Sequence, residues 1–279
     1  MRPPVTYQGG KVRLADQIVE IIGLPLRERF FDLCCGSGAV SVAAVNAGQK
    51  PSRITMVDFS PWGRFWKAIG DGAFDLDTFH ALVARLPSDV RKIKAFITAL
   101  YERPVGDDAV YVFLLLQAAT VGGAAVWIEG RQWKKGGGFR DYWTPTATSS
   151  RRSPVNPMMP MPATIVERVT VLAERMRGVT GICADLASVV PTVREGRAYI
   201  DPPYQGTTAY GHRLDVVAIA RSLRVPCWVS EGRALTDAAV CLSRGRAKGG
   251  ITGNRKRAPN EEWLSPFKPR KRVKPEDTK

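Results

Sequence analysis

Phe30-Phe31-Asp32-Leu33-Cys34-Cys35-Gly36-Ser37-Gly38 opens on an apolar run and closes on two glycines. The run does not alternate apolar with polar residues, so it predicts a strand covered on both faces. The glycines fall where that strand turns toward a helical pattern over 39–47, and a residue without Cβ lets backbone approach a ligand closely. Four further short runs have the same character: Ile54-Thr55-Met56-Val57-Asp58, Gly181-Ile182-Cys183-Ala184-Asp185, Tyr199-Ile200-Asp201 and Pro226-Cys227-Trp228-Val229-Ser230. Helical patterns fit between them over 10–22, 39–47 and 214–224. Strands alternating with helices predict an α/β fold on an open, mostly parallel sheet.

Four of these runs end in or near an acid: Asp32, Asp58, Asp185 and Asp201. Ligands of open α/β sheets bind beyond the carboxyl ends of the strands, so the four acids predict one polar site along that edge. Asp201 opens Asp201-Pro202-Pro203-Tyr204. Proline fixes φ and donates no hydrogen bond, and it holds the residue before it extended. The segment reads as a stiff ledge that offers a carboxylate and open carbonyls beside a flat ring. Such a ledge suits a planar heterocycle with an exocyclic amine, whose N–H groups meet oxygens while the ring stacks on Tyr204. An ordinary turn after a strand is the plain alternative.

The glycine spacing is neither G-x-G-x-x-G nor G-x-x-x-x-G-K-[ST], so no phosphate cradle is evident. Asp58 is placed to bond ribose hydroxyls, and Asp32 to hold a cationic amine. A nucleoside without phosphates but with an amine fits that set, which points to S-adenosylmethionine.

The chain has 279 residues, is 44% hydrophobic and 24% charged, and carries a formal charge of +15. It reads as globular, with partners biased toward polyanions. Two histidines and five cysteines without a Cys-x-x-Cys pair argue against a zinc site. Cys34, Cys35, Cys183 and Cys227 lie in apolar runs and are expected as buried thiols. With no signal segment and no apolar run of about 18 residues, a cytoplasmic, reducing location is expected.

From 58 to 181 the pattern changes. Amphipathic helices are predicted over 76–86, 90–101 and 108–120, followed by an irregular stretch from 130 to 162. That stretch holds Trp133, Lys134, Lys135, Phe139, Arg140, Tyr142, Trp143, Arg151 and Arg152. Basic residues interleaved with aromatics suit a nucleic-acid surface, and a flexible linker is the alternative. Thr164-Ile165-Val166-Glu167 predicts a capping box, with Gly178 stopping the helix. Residues 268–279 form a basic, proline-broken tail.

Taken in order, these motifs resemble the Dam-type (class alpha) adenine-N6 DNA methyltransferases. Tyr7-Gln8-Gly9-Gly10-Lys11 is similar to that family's amino-terminal motif, Asp32 to Gly38 to its glycine motif, and Asp58 to its ribose-binding acid. Cys183-Ala184-Asp185 resembles the stretch ahead of its catalytic strand, and Asp201-Pro202-Pro203-Tyr204 its catalytic motif. Thr252-Gly253-Asn254-Arg255-Lys256-Arg257 and Asn260-Glu261-Glu262-Trp263-Leu264 look like its last hairpin, a loop followed by a final strand. The chain departs from the family at Cys34-Cys35, in place of Pro-Phe, and at Gln117-Ala118-Ala119-Thr120-Val121-Gly122-Gly123, where an Asn-x-x-x-x-Asn-Gly segment is usual.

The resemblance implies a Rossmann-like, doubly wound sheet with an inserted helical and irregular DNA-recognition domain. The catalytic domain would comprise 1–62 and 164–267, and the insertion 63–163. It implies S-adenosylmethionine as cofactor, held by Tyr7, Lys11, Asp32, Gly36, Gly38, Asp58 and Asp185. It also implies methyl transfer to adenine N6 by Asp201, Pro202, Pro203 and Tyr204, with the base flipped out of duplex DNA. Trp133, Lys134, Lys135, Arg140, Arg151, Arg152, Arg255, Lys256 and Arg257 would contact the DNA. A cytosine-N4 methyltransferase, an RNA methyltransferase and a non-catalytic DNA binder stay open as alternatives.

Overall fold

The computed structural model describes residues 1–89, 92–140, 161–202, 214–246 and 259–270. In chain order its elements are α1 (Ala15–Ile22), β1 (Phe30–Leu33), α2 (Ala39–Asn46), β2 (Ile54–Val57), α3 (Pro61–Gly70), α4 (Leu76–Ala84), α5 (Ile93–Glu102) and α6 (Ala109–Ala119). Then follow β3 (Val126–Glu129), β4 (Gln132–Lys135), α7 (Pro162–Arg175), β5 (Thr180–Ile182), α8 (Leu186–Val189), β6 (Arg197–Ile200), α9 (Val216–Ser222), β7 (Cys227–Glu231), β8 (Val240–Arg246) and β9 (Pro259–Phe267).

Seven strands form the central sheet in the order β5-β2-β1-β6-β7-β9-β8. Pairing is parallel from β5 through β7, and β9 runs antiparallel to both of its neighbours. The architecture is therefore α/β with a mostly parallel sheet, compatible with a Rossmann-like fold. The chain leaves β1 toward β2 on one side and returns to β6 on the other. The order thus reverses at β1, which makes its carboxyl end a topological switch point, where such sheets bind ligands.

Each sheet face has its own core, and the period-2 alternation of the strands sorts the side chains between them. Phe30, Ile54, Met56 and Tyr199 join one apolar cluster with α1, α2 and α3. Phe31, Leu33, Val57, Ala198 and Ile200 join the other with α8 and α9. Burial on both faces is why these strands read as continuous apolar runs.

The first cluster also takes in Phe79, Ile97, Phe113, Val126, Trp133 and Phe139. Among the described residues, those from 74 to 140 therefore extend the core of the sheet and form no separate buried cluster. A boundary at 62/63 would cut α3, whose Trp62, Phe65, Trp66 and Ile69 are fully buried. Backbone packs directly on backbone here: a Cβ on Gly63 would lie 2.7 Å from Cys183 Cα, and one on Gly70 2.9 Å from the Val179 carbonyl carbon.

The stretch expected to be irregular is partly a hairpin. β3 and β4 pair antiparallel with Ile128 opposite Trp133 and Trp127 opposite Lys134, and Phe139 bridges back to Thr120. The helix expected to start in a capping box at Thr164 instead begins at Pro162, without a side-chain cap. Proline at the first helical position presets φ and lacks an N–H that has no partner there anyway. Residues 141–160 and 271–279, and with them Arg151, Arg152 and most of the basic tail, lie outside the described residues. Among the described residues no helix is long and apolar enough to cross a membrane.

Candidate active site

The strand ends that face the site are lashed together one or two residues beyond the ladders. Cys35 N–H donates to the Val57 carbonyl (2.9 Å), Asp58 N–H to the Ile182 carbonyl (3.0 Å) and Asp201 N–H to the Leu33 carbonyl (3.2 Å). Asp58 and Asp201 are thereby fixed on either side of the switch point. A wide cleft opens above them, lined by Tyr7, Lys11, Gly36, Asp58, Asp185, Asp201 and Pro202 among others. The sequence-predicted residues 7, 11, 36, 58, 185, 201 and 202 are brought together here; Pro203, Tyr204, Arg255, Lys256 and Arg257 lie outside the described residues.

Gly36 is the cradle. It has φ 48°, a left-handed conformation that glycine adopts without strain, and a Cβ there would lie 2.9 Å from Tyr7 Cε1. Its N–H donates to Asp58 Oδ2 at 2.7 Å, and its carbonyl accepts from Trp66 Nε1 at 3.0 Å. Asp58 Oδ1 accepts from Ser60 N–H at 2.9 Å. Each Asp58 oxygen thus has a fixed donor and a remaining lone pair directed elsewhere. Burial raises the Asp58 carboxyl above its ordinary value, against the Ser60 and Gly36 hydrogen bonds that lower it.

Gly38 and Asp32 have different roles from those expected. A Cβ on Gly38 would lie 2.7 Å from both Met56 Cε and Trp66 Cε2, so core packing under α2 requires that glycine. Asp32 is 1% exposed, and its Oδ2 accepts from Ser41 Oγ at 2.6 Å and Ser41 N–H at 3.2 Å. It braces β1 against α2 at the cleft floor, and Ser41 takes up its Oδ2.

Burial, opposed by the Ser41 hydrogen bond and helped by the Asp201 charge, pushes the Asp32 carboxyl up to about 7 from an ordinary 3.8. The folded chain then holds this proton to about pH 7, whereas the unfolded chain releases it near 3.8. Between those values rising pH favours the unfolded state, because it has already shed the proton. Asp32→Asn stays neutral and keeps an acceptor for Ser41. It should match wild-type stability below about pH 4 and exceed it at about pH 8. Urea denaturation at the two pH values checks this, and an equal offset at both would remove the assignment.

Asp201 sits one residue past β6. Lys11, only 6% exposed, places Nζ 2.7 Å from Asp201 Oδ1 and 3.6 Å from Glu262 Oε1, and donates to the Gly9 carbonyl at 2.9 Å. Burial raises the Asp201 carboxyl to about 6; Lys11 pulls the other way, and Glu262 and Asp58 add to the rise. Pro202 is buried beside it. Asp185 lines the cleft and also caps α8, accepting from Ala187 N–H at 2.7 Å.

Sequence reasoning missed three contributors. Phe59, next to Asp58, is 63% exposed on the cleft wall; an aromatic just beyond a strand-end acid was the available signal. Glu262 was visible only as one of two adjacent acids, and nothing local tied it to Lys11. Gln117 was noted only as a departure, yet it is fully buried and saturated. Its Nε2 donates to the carbonyls of Gly123 (3.1 Å) and Ala124 (3.0 Å), and its Oε1 accepts from Val126 N–H (3.1 Å). The Gly123 carbonyl also accepts from Gln8 N–H at 2.9 Å, so this brace supports the loop that carries Tyr7 and Lys11.

Cys183 was expected to be buried and is exposed on the cleft wall, because β5 ends at Ile182. No family model matches the chain, and no curated protein matches it at a significant level.

Proposed function

We propose that this chain transfers a methyl group from S-adenosylmethionine to the N6 amine of adenine in DNA. The observation that carries the reading is the placement of Asp201 and Pro202 at the carboxyl end of β6, across the switch point from Gly36 and Asp58. One cleft thus offers a nucleoside seat and an acceptor ledge side by side.

The residues present fit the cofactor. Gly36 leaves room for the Tyr7 ring, which a Cβ would press, Asp58 offers lone pairs for ribose hydroxyls, and Phe59 offers an apolar face for a purine. The cofactor would supply an electrophilic methyl group on a sulfonium. Adenine N6 is a poor nucleophile because its lone pair is delocalised into the ring. The Asp201 carboxylate and the Pro202 carbonyl would accept its two N–H groups, disfavour that conjugation and aim the lone pair. Catalysis is then orientation plus charge stabilisation.

The +15 charge supports a polyanionic substrate, and Arg2, Arg13, Arg64 and Arg168 lie along the cleft. On the β3–β4 hairpin the two lysines divide by face. Lys134 lies opposite Trp127, which lines the cleft. Lys135 Nζ sits over the rings of Tyr101 (4.8 Å) and Phe139 (5.1 Å), and Trp133 is 3% exposed in the core. Trp133 therefore holds the hairpin down and does not reach a DNA surface. Arg140 is half-buried and donates from Nε to the Thr120 carbonyl at 3.3 Å.

Lys134→Ala should weaken DNA binding and reduce the salt slope by about one, while Lys135→Ala should cost about 1 kcal/mol of stability and spare the slope. Fluorescence anisotropy across salt concentrations, with thermal melts, separates the two. The reverse assignment would turn the hairpin over.

The function is tested by incubating the protein with methyl-labelled S-adenosylmethionine and duplex DNA or RNA. Label in DNA is the expected result. Label only in RNA, or none with a folded protein, overturns the reading.

A further inference from the structure

Among the described residues, Lys11 is the cation held against the acceptor ledge. Its ammonium contacts Asp201 Oδ1 at 2.7 Å and the Gly9 carbonyl at 2.9 Å, with Glu262 Oε1 at 3.6 Å, just outside hydrogen-bond range. The three charged groups come from three elements: the segment before α1, the end of β6 and the middle of β9. An Asp201 oxygen that accepts from Lys11 has one fewer lone pair for a substrate amine and is a weaker acceptor for it. An N–H offered to Asp201 Oδ1 competes with the ammonium for that oxygen, and the cleft holds a second carboxylate in position to draw the ammonium away.

We propose that Glu262 is a positioning residue that takes the Lys11 ammonium from Asp201 when the target amine enters the cleft. The proposal rests on the methyltransferase reading above. The ammonium keeps the Gly9 carbonyl throughout and exchanges one carboxylate for the other, so the buried cation stays paired, and the Asp201 carboxylate exchanges the ammonium for the incoming N–H. Glu262 is 14% exposed and Asp201 20%, so neither partner of Lys11 is fully solvated, and the exchange takes place in a site where charges are felt strongly.

The arrangement has an electrostatic signature. The groups that face Asp201 are Lys11, Glu262, Asp58, Asp32, Glu231, Cys34 and Tyr199 of its own strand. Lys11 lowers the Asp201 carboxyl and Glu262 raises it. Removing the Glu262 charge should therefore lower the pH at which Asp201 ionises. It should also leave Lys11 on Asp201, so the amine is accepted less well. The variant would be slower and yet active to lower pH, a combination that general destabilisation does not produce.

The test compares wild type, Glu262→Gln and Glu262→Asp in methyl transfer to adenine-containing duplex DNA across pH, with saturating S-adenosylmethionine. Glu262→Gln should lower kcat about tenfold or more and move the acid limb of the profile to lower pH. Glu262→Asp should restore the wild-type limb and part of the rate. Carboxyl-labelled NMR titration of Asp201, without substrate, should show the same downward shift in Glu262→Gln. A Glu262→Gln protein with wild-type kcat and acid limb overturns the proposal, as does an unchanged Asp201 titration. A wild-type protein that transfers no methyl group counts against the methyltransferase reading instead, and the titration then still decides whether Glu262 sets the charge on Asp201.

Discussion

Asp201→Ala should lower methyl transfer about a hundred- to a thousandfold, equivalent to about 3 to 4 kcal/mol of lost transition-state stabilisation. The Asp201 carboxylate is the one charged acceptor on the ledge, and the backbone that places it is fixed by the Leu33 carbonyl and the β1–β6 ladder, not by its own side chain. In the variant Lys11 keeps the Gly9 carbonyl and gains Glu262, so the fold should persist. Binding of S-adenosylmethionine should hardly change, because Gly36 and Asp58 stand across the switch point. Calorimetric titration and single-turnover rates on the same preparation check both halves. In wild type, transfer should fall as pH drops below about 6, where Asp201 takes up a proton and loses the charge that makes it a strong acceptor. A rate that stays flat to well below that pH would separate Asp201 from the chemistry.

The second large effect concerns stability. A Cβ on Gly181 would lie 2.5 Å from Lys67 Cα, inside the backbone of α3. Neither element can yield easily: β5 is held in register with β2, and α3 is anchored by Trp62, Phe65, Trp66 and Ile69 in the core. Gly181→Ala should cost about 3 kcal/mol or more, the upper end of overpacking penalties, and lower Tm by about 6 to 12 °C. Because Asp58 and Cys183 flank the same contact, cofactor affinity should fall with it. A melt within a degree or two of wild type would mean that α3 does not rest on β5 as described.

Of the five parallel strands, β1, β2, β6 and β7 were legible in the sequence because burial on both faces removes the polar alternation, and β5, partly exposed at the sheet edge, was legible as a short apolar run. Their carboxyl-end acids followed from the same runs, so the positions of Asp58, Asp185 and Asp201 were visible before any coordinates. What was not legible depended on partners distant in the chain. α3 carries Gly63 and Gly70, which count against a helix by propensity but let it sit on Cys183 and Val179. Gln132-Trp133-Lys134-Lys135 looked like a basic nucleic-acid patch, because the rings that take up Lys135, Tyr101 and Phe139, lie 34 residues before it and 4 after it. Asp32 lies inside its apolar run, near the strand end where the other acids sit, yet Ser41 in the first turn of α2 claims it. β8 escaped notice because its pairing with β9 slips between Cys241 and Ser243, which breaks any period-2 pattern.

The identity of the methylated base is the most direct test of the proposed reaction. Duplex DNA of mixed sequence, incubated with the protein and S-adenosylmethionine and digested to nucleosides, should yield N6-methyladenine by mass spectrometry, and Asp201→Ala should form it at least about a hundredfold more slowly. N4-methylcytosine in its place, or no modified nucleoside from a folded protein that binds DNA, would contradict it.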